Sequence, residues 1–417
     1  MSHRWRLFSV LSFLYLLAYF YRVSMAVLAG DLSRDLALDA VQLGTLSGAF
    51  FYAFAITQLP LGPLLDRYGG KKIVLLTGLT TICGCILFAR ATDYPQALLG
   101  RILLGTGSAS VLMGSLRVFT NWFDRREFGQ VSGFIIAVGN IGNLAGTAPL
   151  ALAAATAGWR TTFLVVAGIQ AAALLLARVM VRERPCSTAQ DGDLQTAPPV
   201  RLLSGLRQVL ATPSYWLLSF LAFSWYANYM AVQGLWGGPY LVDAVGLSTE
   251  GAGRMLLATS LGFLVGCLCV GTVTERLFRS PRRTLLCGQL LLLACMSLFL
   301  GPAERLPIQL LAPLFFLMGI AVSSGVSIYA MIRESFPPAI IGSALTAVNF
   351  FILMGAATMQ QLMGGVIGRY GKTAAGYPGA AYHAAFLLPV SLLALSILLF
   401  LRVRDPHPAA KANSAGL

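Results

Sequence analysis

Charged residues are scarce in this chain. Lys, Arg, Asp and Glu make up 11% of its 417 residues, whereas a soluble domain carries about 25%. The composition therefore excludes an ordinary soluble domain. Hydrophobic residues make up 57%, and the mean hydropathy is +0.74. Because apolar runs of about 20 residues are long enough to cross the hydrocarbon core of a bilayer as helices, we expect an all-α integral membrane protein.

The chain also has little of what catalysis and metal binding require. It has three histidines, and its 16 Asp and Glu residues fall in loops or at the ends of apolar runs. No pair of buried carboxylates is then available for general acid–base chemistry. Six of the seven cysteines lie in apolar runs, without a histidine at the spacing of a metal site. We expect no enzyme activity, no metal and no cofactor.

Windows of about 19 residues pick out twelve candidate transmembrane helices. They lie at 7–30, 41–63, 73–91, 97–121, 128–152, 160–181, 209–235, 251–273, 284–301, 307–331, 341–366 and 382–402. The longest polar interval has the composition of a linker and separates six helices from six. We therefore predict an N-terminal six-helix half at 1–181, a cytoplasmic linker at 182–208, a C-terminal six-helix half at 209–402 and a cytoplasmic tail at 403–417.

Basic residues are distributed unevenly between the two sides of the predicted bundle. If the first segment is cytoplasmic, most of the 30 Lys and Arg residues fall on the cytoplasmic side. The positive-inside rule then places both termini in the cytoplasm. The net charge of +14 is mainly a topology signal, with attraction to anionic lipid headgroups as a by-product. We expect membrane lipids, and not nucleic acid, as partners.

A loop sequence occurs twice, once in each predicted half. GPLLDRYGGKK follows the second helix, and GTVTERLFRSPRR follows the eighth. One constant offset relates Gly62, Asp66 and Arg67 to Gly271, Glu275 and Arg276. The duplication predicts two halves related by a pseudo-two-fold axis along the membrane normal.

The first loop resembles the signature G-x-L-x-D-R-x-G-R-K-x of the major facilitator superfamily. The matching residues are Gly62, Leu64, Asp66, Arg67, Gly69 and Lys71, and the fourth helix is similar to the family's R-x-x-x-G-x-G signature through Arg101, Gly105 and Gly107. With the twelve-helix layout, the resemblance covers essentially the whole chain. It implies the major facilitator fold, a monomer, and gating contacts that form in one state and break in the other. The candidate gating residues are Gly62, Asp66, Arg67, Lys71, Arg101, Arg117, Glu275 and Arg276.

An arginine interrupts the first apolar run, in AYFYRVSMAV. A charge in hydrocarbon costs roughly 2.5–3.5 kcal/mol on insertion scales. YRVSMAVLAGDL resembles the R-V-N/S-x-x-V-A pattern of the family's anion:cation symporters and organophosphate:phosphate antiporters, and LRVFTNWFDRREFG resembles a second pattern of those branches. The resemblance implies that Arg22 meets a carboxylate or phosphate. The layout of residues 22–47 is also similar to that of bacterial phagosomal nutrient transporters, which handle amino acids or nucleosides, so this alternative stays open.

Arg22 lies about 14 residues into the first predicted helix, too deep for its side chain to snorkel easily to water. Tyr15, Tyr19 and Arg22 share one helix face, and a guanidinium fork binds carboxylate or phosphate bidentately. The alternative is a structural arginine bound by backbone carbonyls. Further candidate substrate-binding residues are Asn140 and Asn143 in the fifth helix, Trp225, Tyr226, Asn228 and Tyr229 in the seventh, and Asn349 in the eleventh.

Three glycine and proline residues, Gly237 to Pro239, predict an interruption of the seventh helix. We interpret the neighbouring Trp236 and Tyr240 as members of the aromatic belt at the membrane interface. Near the expected pathway, only Asp31 and His383 are titratable. Both a coupling proton and a counter-transported anion therefore stay open.

The sequence thus predicts a multi-pass secondary transporter of the bacterial inner membrane. Its predicted small-molecule substrate is an organic anion, either a carboxylate or a phosphate ester. Uptake of an amino acid or nucleoside, or export of an amphiphilic compound, is the alternative in which Arg22 is structural. A transporter-like sensor is a further alternative.

Overall fold

The computed structural model describes residues 3–181, 207–337, 340–373 and 376–403, apart from the side chains of Asp66, Arg125 and Arg126. The predicted linker at 182–208 and tail at 403–417 lie almost entirely outside the described residues. The fold over the described residues is all-helical, as predicted. The division into two six-helix halves stays a prediction.

In the part of the chain that the structure describes, seventeen α-helices follow one another. The first nine are α1 (His3–Val23), α2 (Met25–Asp35), α3 (Ala40–Tyr68), α4 (Gly70–Ala89), α5 (Tyr94–Ser108), α6 (Val111–Phe119), α7 (Arg125–Ala145), α8 (Ala148–Ala157) and α9 (Trp159–Met180). The others are α10 (Pro213–Met230), α11 (Gly237–Asp243), α12 (Thr249–Thr272), α13 (Pro281–Ser297), α14 (Ile308–Ser323), α15 (Ser327–Ser335), α16 (Ile341–Ile367) and α17 (Gly379–Phe400). Two π-helical segments, Ala231–Trp236 and Val273–Phe278, join α10 to α11 and extend α12.

Ten of the described helices or helix pairs are long and apolar enough to cross a membrane, and an eleventh is the bent pair Gln130–Ala145 and Ala148–Ala157, with a bend of 43°. The prediction of twelve is therefore confirmed only in part. The predicted helix at 209–235 corresponds to α10 and the first π-helical segment, where aromatic and polar residues replace many aliphatic ones.

Helix α3 shows how the sequence sets the limits of these elements. Asp39 and Gln42 form a capping box at its start, in which the Gln42 N–H donates to Asp39 Oδ1 over 2.7 Å. Such a box satisfies amide groups that have no partner inside the helix. The helix ends at Gly69, whose φ of 81° suits a residue without a side chain. α3 is therefore a continuous helix of 29 residues, and it contributes Phe54 and Gln58 to the centre of the molecule.

Several predicted helices are broken where the sequence did not predict it, or not at that position, and the first and the seventh are two of them. The first predicted helix splits into α1 and α2 at Ser24, whose hydroxyl donates to the Tyr21 carbonyl oxygen over 3.1 Å. The seventh changes to a π-helix before the Gly-Gly-Pro sequence, and α11 begins at Gly237. A π-helical turn leaves the regular hydrogen-bond ladder, and the Gln360 side-chain amide donates to the Met230 carbonyl oxygen there over 3.0 Å.

The bundle has two ends, which we name from the residues they hold. The chain-end face holds Arg4, Tyr68 and Leu401, and the loop face holds Asp35 and Lys372. We call residues 3–181 the N-terminal part and the described residues from 207 to 403 the C-terminal part. Contacts that join the two parts are Ala26 with Gly238, Ser33 with Lys372, Ala40 with Tyr377, Gly44 with Gln360, Gly48 with Ala357 and Gln58 with Asn349.

These contacts extend from the loop face to beyond the middle of α3. Toward the chain-end face the packing is open. A Cβ atom placed on Gly62 or on Gly271 would have no heavy atom of a neighbouring element within 4 Å. In the described residues, the contacts named above between the two parts therefore lie at the loop face and along α3 as far as Gln58.

A carboxylate at the loop face ties α2 to α9. Asp35 accepts hydrogen bonds from Trp159 Nε1 over 2.9 Å and from Arg160 over 2.5 Å. The Trp159 hydrogen bond, followed by that of Arg160, holds the pKa of Asp35 below its usual value. The folded state thus favours the charged carboxylate, and its stabilising effect is reduced because the side chain is about one third exposed.

We predict that Asp35→Asn reduces the loss of stability on acidification. Because the pKa of Asp35 is depressed in the folded state, its contribution is fully present above the usual aspartate pKa of about 3.9 and is lost as the pH falls through the lower value. Thermal unfolding in detergent from pH 6 to pH 3 measures this. Glu250→Gln, which removes an exposed pair with Arg254, is the control, and equal acid slopes for Asp35→Asn and the wild type would contradict the prediction.

Candidate functional site

Arg22 lies at the centre of the molecule, in the last turn of α1, and is only 7% exposed. Its Nη1 donates to the hydroxyl of Tyr226 over 3.1 Å. The guanidinium carbon lies 4.4 Å from the centre of the Tyr19 ring and 5.1 Å from that of Phe54. The end of a helix and the faces of aromatic rings both favour a cation. The guanidinium is therefore held between rings of the N-terminal part and one hydroxyl of the C-terminal part.

The charge of Arg22 has no carboxylate partner among the described residues. The ion pairs that the structure forms lie elsewhere, as at Arg4 with Glu127 and Arg34 with Asp31. The Arg22 Nε–H is buried without a protein acceptor. An unpaired buried charge is costly unless an opposite charge satisfies it. The arrangement is suited to receive an anion.

Phenol side chains surround this guanidinium. The Tyr15 hydroxyl donates to that of Tyr19 over 3.2 Å. Tyr229 stacks on Phe263 with 5.4 Å between ring centres, and its hydroxyl is buried without a protein partner. We call Arg22, Tyr15, Tyr19, Phe54, Tyr226, Tyr229 and Tyr329 the Arg22 cluster. The structure thus brings four predicted tyrosines to Arg22.

Phe54 and Tyr329 are the members of the Arg22 cluster that were not among the predicted site residues. The Tyr329 hydroxyl lies 3.5 Å from Asn349 Oδ1. Asn349 in turn donates to Gln58 Oε1 over 2.6 Å, which joins the two parts of the chain. The sequence signal for Tyr329 was its position among the small hydroxyl residues of the tenth predicted helix. Phe54 carried no signal because it is one of many phenylalanines in apolar runs.

The other predicted substrate-binding residues of the seventh helix make packing contacts in this structure. Trp225 Nε1 donates to the Val322 carbonyl oxygen over 2.7 Å. Asn228 is fully buried, and its amide donates to the carbonyl oxygens of Ser224 and Pro389. These bonds join α10 to neighbouring helices, a common use of polar side chains in membrane proteins.

The two asparagines of the fifth predicted helix are also bonded within the protein. The Asn140 amide donates to the Ile136 carbonyl oxygen over 3.1 Å, and the Asn143 amide donates to Asn140 Oδ1 over 3.3 Å. Both side chains are buried. Their hydrogen-bond donors are thus directed within α7 in this conformation.

The interpretation of Trp236 and Tyr240 as membrane-interface residues is wrong. Both are buried, and Trp236 Nε1 donates to the Gln360 carbonyl oxygen over 2.9 Å. The Tyr240 ring packs against Phe299 and Phe386. Trp236 is the last residue of the π-helical segment and Tyr240 lies in α11, and both aromatic side chains face neighbouring helices rather than lipid.

Arg101, a predicted gating residue, is fully buried inside the N-terminal part. Its Nη1 donates to the Tyr21 carbonyl oxygen over 2.9 Å and its Nε to that of Leu46 over 3.3 Å. The guanidinium also lies 4.8 Å from the centre of the Phe50 ring. Because the Tyr21 carbonyl lies at the break between α1 and α2, Arg101 holds the backbone next to Arg22 in place.

The predicted gating residues of the two loops lie at the chain-end face. Arg67, Arg117, Glu275 and Arg276 are exposed, as is Gly62, while Lys71 is half-buried. The side chain of Asp66 lies outside the described residues. The close helix approach expected at Gly62 is not made in this conformation, because the space next to it is open.

At the loop face, a segment of the C-terminal part reaches across to the N-terminal part. Lys372 Nζ donates to Ser33 Oγ over 2.6 Å, and the Tyr377 hydroxyl accepts from the Ala40 N–H over 3.1 Å. Asp243 holds this segment by accepting from the Tyr377 N–H over 3.1 Å. We call the bonds of Lys372 and Tyr377 to the N-terminal part the loop-face clasp. A cavity of about 340 Å³ lies beside it.

The two titratable residues singled out in the sequence also lie at the loop face. Asp31 lines the cavity beside the clasp and pairs with Arg34 over 3.2 Å. Burial raises the pKa of Asp31. His383 Nε2 lies 2.6 Å from Glu304 Oε1. Neither residue contacts Arg22 in this conformation.

The family model described as Major Facilitator Superfamily matches residues 11–326 and 238–417. The chain is 25% identical over 395 residues to the "Probable sulfoacetate transporter SauU" of Cupriavidus necator, covering 92% of this chain and 84% of that protein. It is 27% identical over 371 residues to the 3-(3-hydroxy-phenyl)propionate transporter of Escherichia coli, covering 87% of this chain and 88% of that protein.

A solved structure shares the fold. It is that of a bacterial homolog to the human lysosomal transporter Spinster, in an inward-facing and unoccupied conformation. The TM-score is 0.79 at 17% sequence identity, and the match covers 96% of each chain.

Proposed function

This chain belongs to the Major Facilitator Superfamily, and on that premise we propose that it moves a small organic anion across the membrane by alternating access, with Arg22 as the charge partner of the anion. The family resemblance expected from the loop motif is confirmed. The protein is a multi-pass transporter of the bacterial inner membrane and not an enzyme, as its family and relatives show.

The observation that carries the proposal is the buried guanidinium of Arg22 without a carboxylate partner. The Nε–H is unpaired, and the contacts of the group are one phenol hydroxyl and two ring faces. An anion that enters from the open side supplies the missing charge. The names of both relatives specify carboxylate-bearing anions, which agrees with this proposal.

Alternating access requires two bodies and a site between them. We propose that the N-terminal and C-terminal parts are the two six-helix halves and that Arg22 and Tyr226 lie at their interface. By the positive-inside rule, the chain-end face, with its exposed basic loops, is cytoplasmic. The structure then corresponds to a state open to the cytoplasm, and opening to the other side requires the loop-face clasp to break.

The proposed gating roles follow from the same geometry. Arg67, Glu275 and Arg276 are exposed in this conformation and become available for contacts between the halves when the chain-end face closes. Arg117 lies exposed at the same face. Asp31 and His383 remain the candidate groups for a coupling proton, and exchange for a second anion is the alternative.

Counterflow in proteoliposomes tests the proposed function. Vesicles that hold purified protein are loaded with unlabelled sulfoacetate in one set and with unlabelled 3-phenylpropionate in another. At least one set is expected to accumulate its labelled compound transiently, because a carrier exchanges its substrate across the membrane. A transporter-like sensor would give no counterflow. Accumulation of amino acids or nucleosides, without any organic anion, would favour the nutrient alternative in which Arg22 is structural.

We predict that loss of the loop-face clasp opens the loop face. The double variant Lys372→Gln and Tyr377→Phe removes the bonds to Ser33 and Ala40, so the state open at the loop face gains population. A cysteine introduced at Ala29, which lines the cavity there, is expected to react several-fold faster with a membrane-impermeant maleimide.

Lys72→Gln, at the exposed chain-end face, is the matched control for this measurement. It removes the same charge without touching the clasp. Equal labelling rates in the double variant and the control would show that the clasp does not hold the loop face closed.

A further inference from the structure

Within the function proposed above, on which this inference rests, we propose that the transported anion is a monocarboxylate with an aromatic body. The Arg22 cluster provides one cationic head-group site and ring-lined walls. A polyhydroxy acid fits this environment less well because few polar groups of the cluster lack a protein partner. A dianion fits less well because the cluster has one cationic group.

The space next to the guanidinium is bounded by aromatic rings. Tyr19 and Phe54 cover the guanidinium from the N-terminal part, and the Tyr226 and Tyr229 rings lie 5.9 Å apart in the C-terminal part. Tyr19 and Tyr329 keep partial exposure, so their rings line the open side. Aromatic rings pack favourably against another ring in offset or edge-to-face arrangements. These rings therefore favour a flat apolar body on an anion that binds Arg22.

Most polar groups near the cluster are already bonded to the protein. Their hydrogen bonds run from Tyr15 to Tyr19, from Asn140 to Ile136, from Asn143 to Asn140, from Asn228 to two backbone carbonyls, from Trp225 to Val322 and from Asn349 to Gln58. The buried groups without a protein partner include two donors, Arg22 Nε–H and the Tyr229 hydroxyl, and two acceptors, Asn143 Oδ1 and Asn228 Oδ1. The two donors suit one carboxylate, and only the two amide oxygens of this set accept from hydroxyl groups of a ligand.

An unpaired hydroxyl on a buried ligand loses its water without replacement, and each such loss lowers affinity by about tenfold. A sugar acid carries four or more hydroxyl groups, so it is disfavoured.

A second negative charge on the ligand is disfavoured as well. Among the described side chains of the N-terminal part, Arg101 is the other buried guanidinium. It is fully covered, and it donates to the carbonyls of Tyr21 and Leu46 although its Nη2 has no protein partner.

Four ligands of matched design test the inference on the purified full chain in detergent. 3-Phenylpropionate is the aromatic monoanion, and 3-cyclohexylpropionate has an apolar body of similar size that is not aromatic. Phenylsuccinate adds a second charge, and galactonate replaces the apolar body with hydroxyl groups. Thermal shift and competition give the dissociation constants. We expect 3-phenylpropionate to bind at least tenfold more tightly than phenylsuccinate and galactonate, and several-fold more tightly than 3-cyclohexylpropionate.

Variants of the Arg22 cluster test which of its residues cause the preference for an aromatic ligand. Phe54→Leu and Tyr19→Leu are expected to weaken 3-phenylpropionate several-fold while propionate itself changes little. Tyr370→Leu, which removes an exposed tyrosine ring of the C-terminal part, is the control and is expected to change neither ligand.

The outcomes separate this inference from the proposed function. If galactonate, phenylsuccinate or inorganic phosphate binds most tightly and loses binding in Arg22→Gln, the aromatic monocarboxylate is wrong while the proposed anion transport stands. If every anion that binds the wild type binds Arg22→Gln equally well, the proposed function fails too. Equal affinity for the phenyl and cyclohexyl compounds would overturn the role of the ring faces.

Discussion

Arg22→Gln is expected to lower the affinity for the transported anion by at least about 100-fold and to abolish counterflow. The guanidinium is buried, and an anion bound to it forms an ion pair with charge-assisted hydrogen bonds. Breaking such a buried pair by removal of one partner costs about 3–5 kcal/mol. Every 1.4 kcal/mol is a tenfold change in the dissociation constant, so the loss exceeds two orders of magnitude.

The stability of the ligand-free variant separates this role from a structural one. In the ligand-free protein, Arg22 is a buried charge without a carboxylate among the described residues, so its neutral replacement is expected to leave the melting temperature unchanged or to raise it. A structural arginine would instead make the variant melt at a lower temperature.

Two further variants complete this experiment. Arg22→Lys keeps the charge but loses the planar fork, and an intermediate affinity is expected. Arg254→Gln removes a guanidinium from an exposed pair with Glu250 and is the control. Wild-type affinity in Arg22→Gln, measured by thermal shift or competition, would exclude Arg22 as the charge partner.

Gly238→Ala is expected to abolish transport because it prevents closure of the loop face. A Cβ atom at Gly238 would lie 1.6 Å from the carbonyl oxygen of Ala26 in the opposite part of the chain. The overlap is with backbone, which cannot move aside as a flexible side chain does. Overpacking of this kind costs typically 1–3 kcal/mol and occasionally more. Since the contact joins α2 to α11, the state open to the chain-end face loses population.

Gly271→Ala provides the matched control, because a Cβ atom there meets no neighbouring heavy atom within 4 Å. Counterflow measures transport, and maleimide labelling of a cysteine introduced at Ala29 measures opening of the loop face. We expect Gly238→Ala to lose counterflow and label faster, and Gly271→Ala to behave as the wild type. Normal counterflow in Gly238→Ala would show that this close approach is not needed in the transport cycle.

Much of the architecture could be predicted from local sequence. Long apolar runs predicted the membrane helices, because a helix that faces lipid must satisfy its backbone internally and present apolar side chains along its length. The charged residue within the first of these runs identified Arg22, and helical periodicity grouped it with Tyr15 and Tyr19. The repeated loop identified the family. These features are readable because each depends on residues that are near one another in the chain.

Other features depend on residues that are far apart in the chain. The bond from Arg22 to Tyr226 joins positions separated by 204 residues, and that from Asn349 to Gln58 joins positions separated by 291. No periodicity predicts which faces of two distant helices meet. For the same reason, Tyr329 was not predicted as a member of the cluster, and Trp236 was assigned to the lipid interface although Gln360 binds it inside the bundle.

The sequence by itself therefore determined the class of protein, most of its membrane helices and the charge that interrupts the first apolar run. The tertiary structure alone decided which polar groups around that charge are free. Asn140, Asn143 and Asn228 have the side chains of a polar binding site, yet their amides donate to oxygen atoms within the protein. Buried amides must find hydrogen-bond partners, and whether a partner is the protein or a ligand depends on the packing of neighbouring helices.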